Sequence, residues 1–401
     1  FNYELATACA RLKKNRKDLE ICCVVPNLKE EDQRKMQEAG IVPVTLSREA
    51  FDSPEAVQLI SDRIQNRLNR CYPDNCNTFC VGHDIYSGGL SKRLAAECRG
   101  WNIVFHHMDY TSYYLLGKSD VKKYNDKINS QRIVLCDADL VCAVGPMLLW
   151  SAQDIARQGS GTGAIEVYPG LAEFKPLKDH PNRFNPIVFG RVEEDNQIIK
   201  QTPLAIDAFA RAIAMDKDTP VIKNNPTLFV VGYGIDDPDS LKAEVLRLQK
   251  ETAKIAGCVC NVVPHPYTAD RAELGRLLCS ASVAMMLSFH EGFGLVGYEA
   301  IAAGIPLILS KNTGLYLFLE RQGLEHYVYP VDIKGSVEAE KYSEDDLRVV
   351  ARALRDIRQN ESEYKKKAVE LSERLRKEEN TYSWEAVADS FISRVSERFE
   401  P

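Results

Sequence analysis

The stretch from Val283 to Ser310 leaves the chain few folds to choose from. Val283-Ala284-Met285-Met286-Leu287 is a short apolar run with the pattern of a strand buried on both faces. Ser288 to Val296 follows as a glycine-rich loop, and Glu299-Ala300-Ile301-Ala302-Ala303-Gly304 reads as an Ala-rich helix stopped by glycine. Ile305 to Ser310 is a second buried strand. A strand-loop-helix-strand unit of this kind belongs to a parallel sheet covered by helices. Its loop aims backbone N–H groups and the positive end of a helix dipole at one point, which suits a phosphate. Glu291 and Glu299 bracket the loop. A carboxylate accepts paired hydrogen bonds from a diol, so sugar or ribose hydroxyls fit these two positions.

The same alternation runs through the rest of the chain. Leu19–Pro26, Val42–Leu46, Thr78–His83 and Asn102–Phe105 read as strands, with helices over 1–17, Glu30–Gly40, Pro54–Asn69 and Gly89–Cys98. Later strands are expected at Ala138–Pro146, Pro186–Arg191, Pro226–Gly234, Asn261–Pro266 and Tyr327–Val331. Asp239–Gly257, Ser343–Asn360 and 380–398 are expected helices. With 401 residues the chain has room for two domains. Lys175 to Asn185, broken by prolines, reads as the hinge between them. No apolar run is long enough to span a membrane, and a formal charge of −6 disfavours nucleic acid as a partner. The cysteines, including the Cys71, Cys76 and Cys80 cluster, lack paired zinc spacing and read as reduced thiols of a cytoplasmic protein. No metal site is expected.

Polar groups at strand ends are the other candidates, because ligands in open α/β sheets sit beyond the carboxyl ends of strands. Gly82-His83-Asp84 ends one strand and His106-His107-Met108-Asp109 the next. Tyr110 to Lys127, with four tyrosines among charges, reads as a surface or an acceptor groove.

The Glu291–Glu299 spacing around Gly292-Phe293-Gly294-Leu295 resembles the E-x7-E signature of retaining glycosyltransferases of family 4. The resemblance extends over most of the chain. It implies the GT-B architecture: two Rossmann-like domains facing across a cleft, spanning 1–178 and 179–379, with a C-terminal helix at 380–401 crossing back to the first. The family opens with a strand and a glycine-rich loop, whereas Phe1 already lies in the first helical pattern.

By that resemblance the chain transfers a hexose, with retention and without a metal, from a nucleotide diphosphate sugar. A UDP-sugar is favoured as substrate, and no cofactor is implied. Arg191 and Lys200 grip the diphosphate, although Gln201 replaces the family's glycine after the lysine and acidic residues 193–195 crowd the segment. Glu291 holds the donor sugar, and His106 or His107, with preference for His107, contacts it near the reacting carbon. Glu299, Gly292, Phe293, Gly294, Leu295, Val296, Gly190, Gly232, His265 and Thr313 are the expected donor-binding positions. The acceptor stays open among carbohydrate, lipid-linked and protein classes, with peripheral membrane contact compatible. The competing reading is a non-catalytic nucleotide-sugar binding module of a larger protein.

Overall fold

The computed structural model describes all residues except 14–18, 52, 54, 72–76, 113–120, 160, 162, 175–183, 191–198, 217–225, 236, 267, 269, 336–341, 378–380 and 400–401. The chain divides into two units. The first comprises Phe1–Tyr110, Asn125–Gly170 and Glu378–Pro401, and the second Thr111–Tyr124 and Leu171–Lys377. Residue 178 lies outside the described residues, and the first long division falls at Gly170. Residues just beyond it are held by the second unit: Ala172 O accepts from Arg376 Nη2 at 2.9 Å, and Phe174 lies against Gly275.

In the first unit, strands β1 (Cys22–Pro26) and β2 (Val42–Leu46) pair in parallel. Strands β3 (Phe79–His83), β4 (Trp101–His106), β5 (Leu140–Val144) and β6 (Ala164–Val167) form a second parallel sheet in that order. No described strand joins β1 to β3. The two-residue period of a strand is visible in β1: Cys22 and Val24 pack with Leu46, Ile60 and Leu94, whereas Cys23 and Val25 pack with Ala10, Met36 and Ile41. The final helix, Trp384–Phe399, returns to this unit, as the resemblance implied. Its Phe399 stacks on Trp101 at 4.4 Å, Phe391 packs on Phe105 at 5.3 Å, and Trp384 meets Phe1 at 5.5 Å.

One helix begins earlier than its glycines suggested. Gly88 and Gly89 are poor helix formers, and the sequence places the start at Gly89. The observed helix is Asp84–Glu97, because Gly88 is pressed against Val134, where a Cβ would lie 2.3 Å from Cγ1. Tertiary packing overrides local propensity there.

In the second unit, strands β7 (Pro186–Phe189), β8 (Thr227–Tyr233), β9 (Asn261–Pro266), β10 (Val283–Met286), β11 (Leu307–Ser310) and β12 (Tyr329–Val331) are all parallel. Their order is β12-β11-β10-β7-β8-β9. Every residue of β10 and β11 is buried, which accounts for their unbroken apolar runs. The expected strand over Tyr327–Val331 is shorter, since Glu325–Tyr327 forms a 3-10 turn before β12. No helix among the described residues is long and apolar enough to cross a membrane.

The docking of the last helix can be tested at Gly170, where a Cβ would lie 2.4 Å from Trp384 Cγ and 2.7 Å from its Cα. Gly170→Ala is expected to destabilise the first unit by about 1–3 kcal/mol through overpacking. Urea unfolding followed by tryptophan fluorescence measures this, and an unchanged midpoint would mean that the helix yields freely.

Candidate functional site

The strand order of the second unit reverses between β7 and β10. Connections leave this junction toward opposite sides, which opens a crevice beyond the carboxyl ends of the two strands. Residues from both ends meet there. Lys200 Nζ donates to Glu291 Oε2, and Ser288 Oγ donates to the same oxygen at 3.2 Å. Glu291 is further fixed by its backbone, which bridges to Thr313 beyond β11 and accepts from Gly314 N at 3.0 Å. Phe289 N donates to Ile199 O at 2.7 Å and ties the loop to the segment carrying Lys200.

Gln201 stands where the family has glycine and takes the conformation that glycine would, with φ +57°. The chain therefore turns after Lys200 despite the substitution. Gly190 follows β7 and donates its N–H to Val231 O at 3.0 Å. Arg191 lies outside the described residues.

The loop enters the helix Leu295–Ala302 at Gly294, whose φ is +109°. A side chain there would be strained and would also place a Cβ 2.4 Å from Met286 Cε. The first intrahelical donor is Tyr298 N, to Gly294 O at 3.1 Å. Helix geometry leaves the N–H groups of Leu295, Val296 and Gly297 without intrahelical acceptors, directed out of the helix start. Glu299 pairs with Arg271 at 3.2 Å. Sequence reasoning missed Arg271; the available signal was a cation opening the helix after the β9 loop.

Other expected donor-binding positions serve the framework. Phe293 is 3% exposed and packs against Tyr298 and Phe318. Thr313 is fully buried; its hydroxyl caps the helix Gly314–Arg321 by accepting from Tyr316 N and donates to Ser310 O at 2.9 Å. Gly232, with φ +117°, sits at the irregularity in the β8–β9 pairing. His265 Nδ1 donates to Pro266 O at 3.1 Å, and its Nε2 lies 3.5 Å from Glu273.

In the first unit the carboxyl ends of β3 and β4 carry a separate cluster. Asp84 is its hub, 2% exposed and held at φ +40°. His106 Nδ1 donates to Asp84 Oδ1 at 3.1 Å, Gln131 Nε2 donates to the same oxygen at 3.0 Å, and His107 N donates to Oδ2 at 2.8 Å. Burial pushes the Asp84 carboxyl up, but the hydrogen bond and field of His106 and the His107 amide outweigh it and hold it below its usual value. His106 has no exposed surface, and its Nε2 meets the Ser151 hydroxyl at 3.0 Å. It is a strut within the cluster.

His107 instead lines a cavity and bonds through Nε2 to His83 Nδ1 at 3.0 Å. Burial, followed by the field of His107, brings His83 down to about 3, and burial brings His107 down to about 4. Both are neutral near pH 7. Most of the tyrosine-rich segment after Tyr110, and the side chains of the Cys71–Cys76 cluster, lie outside the described residues.

The family model for family 4 glycosyltransferases in conflict systems matches residues 1–391. The chain belongs to that family. Among curated relatives, the trehalose phosphorylase of Grifola frondosa is 28% identical over 151 residues, 37% of this chain and 21% of that protein. The D-inositol 3-phosphate glycosyltransferase of Jonesia denitrificans is 31% identical over 160 residues, 37% of this chain and 35% of that protein. The chain thus matches only about a fifth to a third of these relatives' lengths. Anabaena HepE, solved in complex with UDP and glucose, superposes with a TM-score of 0.60 at 14% identity, covering 98% of this chain and 96% of that one. The fold is that of the GT-B glycosyltransferases.

The depressed histidines predict how stability depends on pH. An unfolded histidine titrates near 6.5, so between that value and the folded values the unfolded chain binds more protons. The stabilising contribution is full above about pH 6.5 and is lost as pH falls toward 4. Its upper bound is about 2 kcal/mol per histidine between about pH 7 and pH 5. Urea unfolding of wild type and His83→Gln/His107→Gln across this range measures it. The variant is expected to show a flatter profile; equal slopes would place both rings in contact with bulk water.

Proposed function

We propose that this chain is a retaining glycosyltransferase that moves a hexosyl group from a UDP-sugar to an acceptor hydroxyl without a metal. The observation that carries the reading is the meeting of Lys200 and Glu291 at the strand-order reversal, beside the helix opening at Gly294. A cation for phosphate and a carboxylate for sugar hydroxyls stand side by side, as the two ends of a nucleotide-sugar linkage require. The UDP and glucose in the HepE structure support a uridine donor by analogy of fold.

The chemical problem is a leaving diphosphate that gains charge as the glycosidic bond breaks. The anomeric carbon loses its bond to the diphosphate oxygen and gains one to the acceptor oxygen, whose proton leaves on the diphosphate. Lys200, Arg191 and the N–H groups of Leu295 and Val296 stabilise the departing charge. Glu291 orients the sugar through its hydroxyls. Glu299 accepts from the ribose hydroxyls, with Arg271 fixing its carboxylate.

The acidic residues 193–195 ahead of Lys200, and Gln201 in place of glycine after it, favour a second reading, a module that binds a nucleotide sugar without transferring it. Steady-state turnover of UDP-, GDP- and ADP-sugars, run in excess EDTA, separates the two. Turnover of a UDP-sugar is expected to persist, and Lys200→Ala to reduce kcat by on the order of 10²–10³. Binding with neither transfer nor slow hydrolysis would establish the module. Raised KM with normal kcat would reduce Lys200 to a binding residue.

Glu299→Gln tests the ribose assignment. Loss of a charge-assisted acceptor should weaken UDP binding by roughly 1.5–3 kcal/mol in calorimetric titration. Unchanged affinity would move the ribose elsewhere.

A further inference from the structure

We propose that Glu291 also works against the product: through its contact with Lys200 it weakens the site's hold on the free nucleoside diphosphate and favours release once the sugar has left. The proposal rests on the transferase reading and deepens it. Two donors, Lys200 Nζ and Ser288 Oγ, converge on a single oxygen of Glu291, Oε2. The other oxygen, Oε1, accepts from no side chain or backbone group among the described residues. The loop cannot carry the carboxylate away from Lys200. Glu291 N donates to Asn312 O at 3.2 Å, Gly314 N donates to Glu291 O at 3.0 Å, and Phe289 N holds Ile199 O beside Lys200. The Lys200 and Glu291 side chains are 28% and 22% exposed, so a ligand in the crevice can reach both.

A carboxylate placed this way treats the two ligands of the cycle differently. The intact donor brings sugar hydroxyls, and one of them can donate to Oε1. That contact offsets the repulsion between the carboxylate and the diphosphate. Free UDP brings no sugar, and its terminal phosphate has one more ionisable oxygen than the sugar ester. Lys200 is then shared between two anions, Glu291 on one side and the phosphate on the other, and no sugar contact compensates. Like-signed groups set against one ligand and not the other are a means of discrimination. Product release limits turnover in many enzymes, so the residue that orients the sugar also serves the step after transfer.

Calorimetric titration of UDP and of UDP-glucose into wild type, Glu291→Gln and Glu291→Asp tests this. Glutamine keeps the shape of the side chain, and its carbonyl can still accept from Lys200 and Ser288. Glu291→Gln is expected to bind UDP about three- to tenfold more tightly than wild type, and UDP-glucose no more tightly. Glu291→Asp keeps the carboxylate and is expected to show no tightening. Damage to the fold cannot raise affinity for one ligand alone, so a gain confined to UDP and to the glutamine variant reads the carboxylate itself. Unchanged or weaker UDP binding by Glu291→Gln, equal tightening for both ligands, or the same gain in Glu291→Asp overturns the proposal and leaves the transferase reading standing. A wild type that binds neither UDP nor UDP-glucose overturns both.

Discussion

Parallel pairing of β7 and β10 at the centre of the second unit's sheet is the constraint on which its site depends. Parallel strands bring all their carboxyl ends to one edge, and the reversal of strand order parts the connections there. Lys200 and Glu291 stand 91 residues apart in the chain, yet each follows one of these two strands. Buried strands cannot slip in register without exposing apolar side chains or orphaning backbone groups. The rigidity of the sheet thus becomes the precision of the site, and the loops only continue what the strands have aimed.

The two units use opposite electrostatic means. The second unit pairs basic with acidic side chains beyond its strand ends: Lys200 with Glu291, and Arg271 with Glu299. Such pairs hold side chains in place and give a charged ligand partners to exchange with. In the first unit the charge is sequestered. Asp84 is buried and ringed by donors, and the two histidines that reach the cavity are neutral through desolvation.

Much of this was legible along the chain, for identifiable reasons. A strand buried on both faces must be apolar throughout, so β10 and β11 stand out as runs. Glycines that admit no side chain, such as Gly294, mark where the backbone turns into a helix. Carboxylates at a set spacing around that turn have few structural uses. What could not be read was the partner of each group. Thr313 as a buried cap, Phe293 as a core ring and Arg271 as the companion of Glu299 depend on segments distant in sequence.

The sequence by itself determined the alternation of strands and helices, the parallel sheets that follow from it, and the glycine loop with its two glutamates. These are local properties, set by side-chain periodicity and backbone sterics. Tertiary structure alone decided which of His106 and His107 is buried. Adjacent residues at a strand end point to opposite sides, so one of the pair had to face the interior and one the cavity. Ser151 and Asp84, from two other elements, claim His106, and His83 claims His107. The same residue type in neighbouring positions becomes a strut in one case and a cavity-lining group in the other, because burial and hydrogen-bond partners are properties of the assembled fold.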